Sequence, residues 1–151
     1  MALWRISNHA DLEGLGGERA DGRWHSAARG KRIVYLSEHP ALALVEAVAN
    51  MRGNPRLFPD RYQLMRVTVP DDLVIPSVGT IAANWREDVR RTRAIGDAWL
   101  EGGESALFAV PSAVAPESVN YLLNPRQADA EKVAVEWSRW IAYDKRLFHL
   151  H

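Results

Sequence analysis

Lys31-Arg32-Ile33-Val34-Tyr35-Leu36-Ser37 runs directly into Glu38-His39-Pro40-Ala41-Leu42-Ala43-Leu44-Val45-Glu46-Ala47-Val48-Ala49-Asn50. The first seven residues are β-branched and aromatic enough to form a strand. Ile33, Tyr35 and Ser37 share one face, and Val34 and Leu36 the other. The rest reads as a helix. Ser37 or His39 can cap it, Pro40 is tolerated in a first turn, and Asn50 and Gly53 mark its end. This helix is apolar nearly all round, the pattern of a buried helix. Glu46 is the exception. Its neighbours at helical spacing are Leu42, Ala43, Ala49 and Asn50, none a cation. The carboxylate either meets solvent at a small gap or belongs to a site.

Working outward, residues 2–7 read as a short strand. Residues 13–23 read as loop, with Gly14, Gly16, Gly17 and Gly22 crowded among charges. No Lys-Ser or Lys-Thr follows the glycines, so a turn is favoured over a phosphate loop. In Asp21-Gly22-Arg23-Trp24-His25-Ser26, Arg23 offers a planar fork of donors and Trp24 a ring face. That pair suits a phosphate-bearing nucleotide, or is an exposed Arg beside a buried Trp. Residues 61–69 alternate as a strand, and 73–75 suggest a short one.

Residues 84–100 read as a helix capped by Asn84 and ended by Gly102-Gly103. Gly96 is its weak point. Arg86, Arg90, Arg91 and Arg93 read as a solvated face partly paired with Glu87 and Asp88. Residues 106–110 form a strand leading to Pro111-Ser112, where Ser112 is a turn residue or part of a site. Residues 119–123 form another strand. In the tail, Val133, Val135 and Trp137 alternate as in a strand, while Val133, Trp137, Trp140 and Ile141 also fit a helix. Strands over 132–137 and 140–144 are the preferred reading.

The totals narrow the classes. The chain has 151 residues, 47% hydrophobic and 25% charged, which suits a globular protein with a core. The 19 basic and 19 acidic residues cancel, against a general nucleic-acid or anionic-membrane binder. There is no Cys, hence no disulfide, thiolate metal site or thiol nucleophile. The five His (His9, His25, His39, His149, His151) form no metal-ligand pattern, and the last two read as tail. No signal peptide, membrane-spanning stretch, Walker loop or Gly-x-Ser-x-Gly elbow is present, in keeping with the cytoplasm. No repeat or linker interrupts the chain, so one domain over residues 1–151 is expected.

Four pieces, in order, resemble the RES domain, the toxin half of bacterial RES–Xre type II toxin–antitoxin pairs. They are Gly22-Arg23-Trp24, Tyr35 and Ser37 with the Glu46 helix, Gly96-Asp97-Ala98-Trp99-Leu100, and Val110-Pro111-Ser112-Ala113. Asn120-Tyr121-Leu122-Leu123-Asn124-Pro125 and Asp144-Lys145-Arg146-Leu147 extend the likeness over nearly the whole chain. The family is named for an Arg, a Glu and a Ser, matched here by Arg23, Glu46 and Ser112. Asp21 departs from the Gly-Gly-Arg-Trp of many members. The resemblance implies an α+β, ADP-ribosyltransferase-like fold, with two small packed antiparallel sheets, flanking helices and a central cleft. It implies that NAD⁺ is the substrate, split at the nicotinamide–ribose bond without a metal, and that an Xre-type antitoxin blocks the cleft.

Such a reaction passes through an oxocarbenium-like state. Glu46 would stabilise its charge, and Arg23 would clamp the pyrophosphate. Tyr35 would stack on the cationic nicotinamide. Trp24 and Asn120 would line the pocket, and Ser112 would bond the amide or the ribose. Arginine-directed transferases generally carry Glu-x-Glu, but Leu44 and Val48 flank Glu46 at that spacing. Water (a glycohydrolase), phosphate (a phosphorylase) or a non-arginine host-protein residue is left as acceptor. A non-catalytic partner-binding module is the reading from another class.

Overall fold

Strands and helices follow one another as β1 (Ala2–Ile6), α1 (Gly16–Arg19), β2 (Val34–Ser37), α2 (Pro40–Asn50), β3 (Arg61–Thr68), α3 (Val89–Gly102), β4 (Leu107–Pro111), β5 (Val119–Leu123) and β6 (Ala134–Ala142). The computed structural model describes residues 1–51 and 59–148; Gly53, His149 and His151 lie outside the described residues. The six strands form one antiparallel sheet in the order β4-β5-β2-β1-β3-β6. No helix among the described residues is long and apolar enough to cross a membrane.

The expected pair of packed sheets is therefore replaced by a single sheet. The reason lies in the β1–β2 joint. β1 runs in register with β3 along its length, and β2 with β5, yet β1 and β2 meet only at Trp4 and Ser37. The sheet is continuous there, but divided into halves β4-β5-β2 and β1-β3-β6. The gap beside that joint is where the cleft opens.

Alternation in the strands builds two cores on opposite faces. Val34 and Leu36 of β2 join Leu3, Val67, Leu107 and Leu123 in one cluster. Ile33 and Tyr35 face the other, with Trp24, Phe108, Val110 and Leu122, under Ile95 and Trp99 of α3. Trp99 stacks on Phe108 at 5.4 Å. Leu73 and Ile75 pack on the first cluster, but residues 73–75 form no strand. The ladder contact near them is the isolated Ser77–Ala109 bridge.

Other expectations shift in detail. The helix expected at 84–100 starts later: Asp88 caps α3 through its side chain and Arg91 N, and residues 84–88 turn instead. Its end is as read, with Gly103 at φ 63°. The tail is one strand, β6, not two. A bulge sets Arg66 opposite Trp137 and Val67 opposite Val135, leaving Glu136 as the extra residue. Residues 16–19 form a single helical turn within the expected loop. α2 is capped by His39, whose Nδ1 accepts from Ala41 N, while Ser37 belongs to β2. It is also less buried than its composition suggests. Leu42 and Ala43 are buried, but Val45 is 43% exposed. The apolar residues cover the sheet on one side only.

Candidate active site

A cleft of about 490 Å³ opens between β1, β2, α2 and the 21–24 loop, lined by Arg5, Arg23, Trp24, Tyr35, Glu46 and Asn120 among others. That volume lies within the range of ordinary ligand sites. Five of the residues expected at a site thus share one cavity. Ser112 does not line it. It is fully buried just beyond β4, beneath Glu46.

Glu46 sits on the inner flank of α2. Its Oε1 accepts from Ser112 Oγ at 2.6 Å and from Asn120 Nδ2 at 2.7 Å. Both are charge-assisted contacts of the short, strong kind. Ser112 Oγ in turn accepts from Ala115 N at 3.0 Å. Its proton is committed to Glu46, so a bond to the amide or ribose is not the role this geometry gives it. Asn120 Oδ1 accepts from Ser37 Oγ at 2.8 Å. Among the described residues no Lys or Arg pairs with Glu46.

Arg23 is held differently. Its Nη2 donates to the backbone carbonyl of Trp85 at 2.8 Å and also to that of Arg86. The guanidinium lies over the Trp85 ring at 5.7 Å. Its Nε is buried with no acceptor among the described residues, a deficit worth about 1–3 kcal/mol. Burial, then the Arg93 charge, lowers the Arg23 pKa, with Glu87 opposing. The group still remains a cation.

α3 fixes the loop that carries Arg23. Thr92 Oγ1 donates to Arg23 O at 2.7 Å, and Arg93 Nε to Gly22 O at 2.9 Å. Asp97 Oδ1 accepts from Ser26 N at 3.0 Å and from Lys31 Nζ at 2.9 Å. Burial pushes the Asp97 carboxyl up, but the Lys31 and Ser26 bonds outweigh it and hold it below its ordinary value. A Cβ on Gly96 would overlap the Trp24 carbonyl, so only glycine lets α3 this close. Arg86 Nε donates to Ala113 O at 2.9 Å. Arg86 and Arg93, read in the sequence as part of a solvated face, are braces of the cleft.

Tyr35 presents its ring to the cleft and its hydroxyl to the wall. The oxygen accepts from Trp24 N at 3.0 Å and lies 2.8 Å from His25 Nδ1. His25 Nε2 is 3.0 Å from Gly17 O. One proton order satisfies every partner: Nε2–H donates to Gly17, and Tyr35 O–H donates to Nδ1. Burial drives the Tyr35 pKa far above its ordinary value. The phenol stays neutral, and the ring face alone is available. A Cβ on Gly22 would collide with Tyr35 Oη and His25 Nδ1, which accounts for that glycine. Trp24 is 2% exposed and belongs mainly to the core, tilted against Trp85 at 6.0 Å.

Arg5 was not singled out by sequence reasoning. It donates to Asp11 O at 3.2 Å and Ser7 Oγ at 3.4 Å, and burial lowers its pKa, with Asp11 opposing. It lines the cleft from β1, with its guanidinium engaged by Asp11 and Ser7. Its only sequence signal was a lone Arg within an otherwise apolar strand. Among the described residues no three His, Asp or Glu side chains gather as a metal would require.

The model of the RES domain matches residues 2–145. The chain belongs to the RES domain family. This RES domain is 38% identical to a protein named Toxin Res from Pseudomonas putida, covering 90% of the chain and 94% of that relative. It is 30% identical to a Sphingobium protein named Prs ADP-ribosylating toxin, covering 97% and 96%. Its fold is similar to a chain in the crystal structure of the M. tuberculosis MbcT–MbcA toxin–antitoxin complex. The TM-score is 0.73 over 93% of this chain and 84% of that one, at 19% identity.

Proposed function

We propose that this RES domain is the toxin of a toxin–antitoxin pair and consumes NAD⁺ by cleaving its nicotinamide–ribose bond. The observation that carries the reading is the pairing of unlike walls in one cleft. A carboxylate that, among the described residues, has one oxygen without a donor and no cationic partner faces a space that also holds the Arg23 side chain and a tyrosine ring. The names of the relatives and the toxin–antitoxin complex of similar fold support the toxin assignment. The divided sheet, with its cleft at the division, is compatible with an ADP-ribosyltransferase-like fold.

In this reading the Arg23 guanidinium, which lines the cleft, holds the pyrophosphate. Tyr35 stacks on the cationic nicotinamide, an attraction of about 0.5–2 kcal/mol. The bond between ribose C1′ and the ring nitrogen breaks, and its electron pair leaves with neutral nicotinamide. Glu46 Oε2 lies against the developing ribosyl cation, where a carboxylate counts most in a partly dry setting. Water then bonds to C1′ and releases its proton to solvent; phosphate would serve in the same place. An Xre-type antitoxin seated over the cleft would exclude NAD⁺. Purified protein incubated with NAD⁺ should release free nicotinamide. The Glu46→Gln form should do so about 10²–10³ times more slowly. Equal background release from both forms would overturn the proposal.

A second reading keeps the bond cleavage and moves ADP-ribose to a host protein on a non-arginine residue. The Sphingobium relative favours it through its name and its near-complete coverage. Leu44, two residues before Glu46, leaves that acceptor without the second glutamate of arginine-directed enzymes. Labelled NAD⁺ added to a lysate separates the two. Complete NAD⁺ loss with no labelled protein band excludes the transfer.

A further inference from the structure

We infer that Ser37 and Asn120 are positioning residues that choose which oxygen of Glu46 faces the ribose. The inference rests on the proposed NAD⁺-cleaving reading and deepens it. Ser37 and Asn120 are Cα partners in the β2–β5 ladder, so their side chains emerge side by side on the cleft face. Asn120 is 9% exposed and Ser37 is 5% exposed. The link runs one way. Ser37 Oγ donates to Asn120 Oδ1 at 2.8 Å, and Asn120 Nδ2 donates to Glu46 Oε1 at 2.7 Å. Reversing the amide would turn Asn120 Oδ1 toward a carboxylate oxygen, so the network itself fixes its orientation.

Ser112, just past the end of β4, completes the arrangement. Its hydroxyl donates to the same Oε1 at 2.6 Å while accepting from Ala115 N at 3.0 Å. Oε1 thus carries two neutral donors, and Oε2 carries neither. A glutamate has three side-chain torsions, and Arg23 lines the same cleft. An untethered Glu46 would sample many rotamers, some of them turned toward that guanidinium. Two neutral donors hold it without neutralising its charge, as a Lys or Arg in their place would. Asn120 lines the cleft as expected, and its side-chain bonds run to Ser37 and Glu46.

The test is steady-state nicotinamide release by Ser37→Ala, Ser37→Thr and Asn120→Asp proteins, with thermal melting of each. Ser37→Ala should lower kcat about tenfold, since a small misplacement of a reacting group has large effects, with KM within about twofold. Ser37→Thr, which restores a hydroxyl, should recover most of kcat. Asn120→Asp keeps the shape but turns the donor into a second carboxylate, and should lose at least as much as Ser37→Ala. Should the alanine form fold poorly, the isosteric aspartate form decides. A wild-type kcat in Ser37→Ala or Asn120→Asp, a change confined to KM, or no recovery with threonine overturns the positioning role alone. A wild-type protein that releases no nicotinamide overturns the underlying reading, and the positioning role with it.

Discussion

The two walls of the cleft are finished to different degrees. On the Glu46 wall every donor has an acceptor: Ser37 to Asn120, Asn120 and Ser112 to Glu46, Ala115 to Ser112. On the Arg23 wall the guanidinium rests on two carbonyls and a Trp ring, and its buried Nε has no partner among the described residues. The difference teaches where each charge does its work. A carboxylate meant to face a short-lived cation must be rigid before the substrate arrives. A guanidinium meant to take an anion needs only to be held in place by its neighbours, since the ligand brings the opposite charge.

Four changes press on this contrast. The largest effect is expected from Glu46→Asp. It keeps the charge but, one methylene shorter, forfeits Ser112 and Asn120. Nicotinamide release should fall about 10²-fold with NAD⁺ affinity retained, read from kcat and KM separately. Activity equal to wild type would mean that the finished wall is ornamental. Arg23→Lys comes next. A point charge replaces the planar fork, so KM for NAD⁺ should rise about tenfold while kcat changes little.

Tyr35→Phe keeps the ring and strands Trp24 N and His25 Nδ1. Its melting temperature should drop by the equivalent of about 1 kcal/mol, with NAD⁺ binding by calorimetry nearly unchanged. A large loss of binding would give the hydroxyl a substrate-facing role. The smallest effect is from Asp97→Asn, which tests the brace behind Arg23. The Asp97 carboxyl is held below its unfolded value, near 3.9. Its contribution is therefore present above that pH and is lost as pH falls through the folded value. The stability gap between wild type and variant should narrow in acid titrations below about pH 4. A gap constant with pH would remove the ion pair from the account.

Much of this was legible along the chain, for physical reasons that also explain the misses. The β2–α2 stretch declared itself because period-two and helical patterns meet at a proline. β5 was bounded correctly at residues 119–123, where Asn124-Pro125 stops it. The start of α3 was misplaced because Asn84 and Asp88 both suit a cap. Arg23 settles the matter by taking the Trp85 and Arg86 carbonyls into the cleft wall. The tail, read as two strands, also fitted a helix because Trp137 and Trp140 lie three apart. In β6 they stand on opposite faces, against Trp4 and Arg61 respectively.

At the site, Glu46 was visible as an unpaired charge on an apolar helix. Arg23 and Tyr35 were visible through the company they keep. The Ser112–Glu46 contact spans 66 residues and was not readable from spacing. Arg5 gave only the weak signal of a lone Arg on an apolar strand, and Ser37, visible in the family resemblance and as a cap candidate, gave none of its link to Asn120.

The joint between the sheet halves has one more consequence. Because β1 and β2 share a single pair, Trp4 and Ser37, little backbone hydrogen bonding resists their separation. The cleft is a jaw with a narrow pin. A molecule held in the cleft between β1 and Tyr35 on β2 would act as a strap across the jaw, and its occupancy should be readable as a rise in melting temperature.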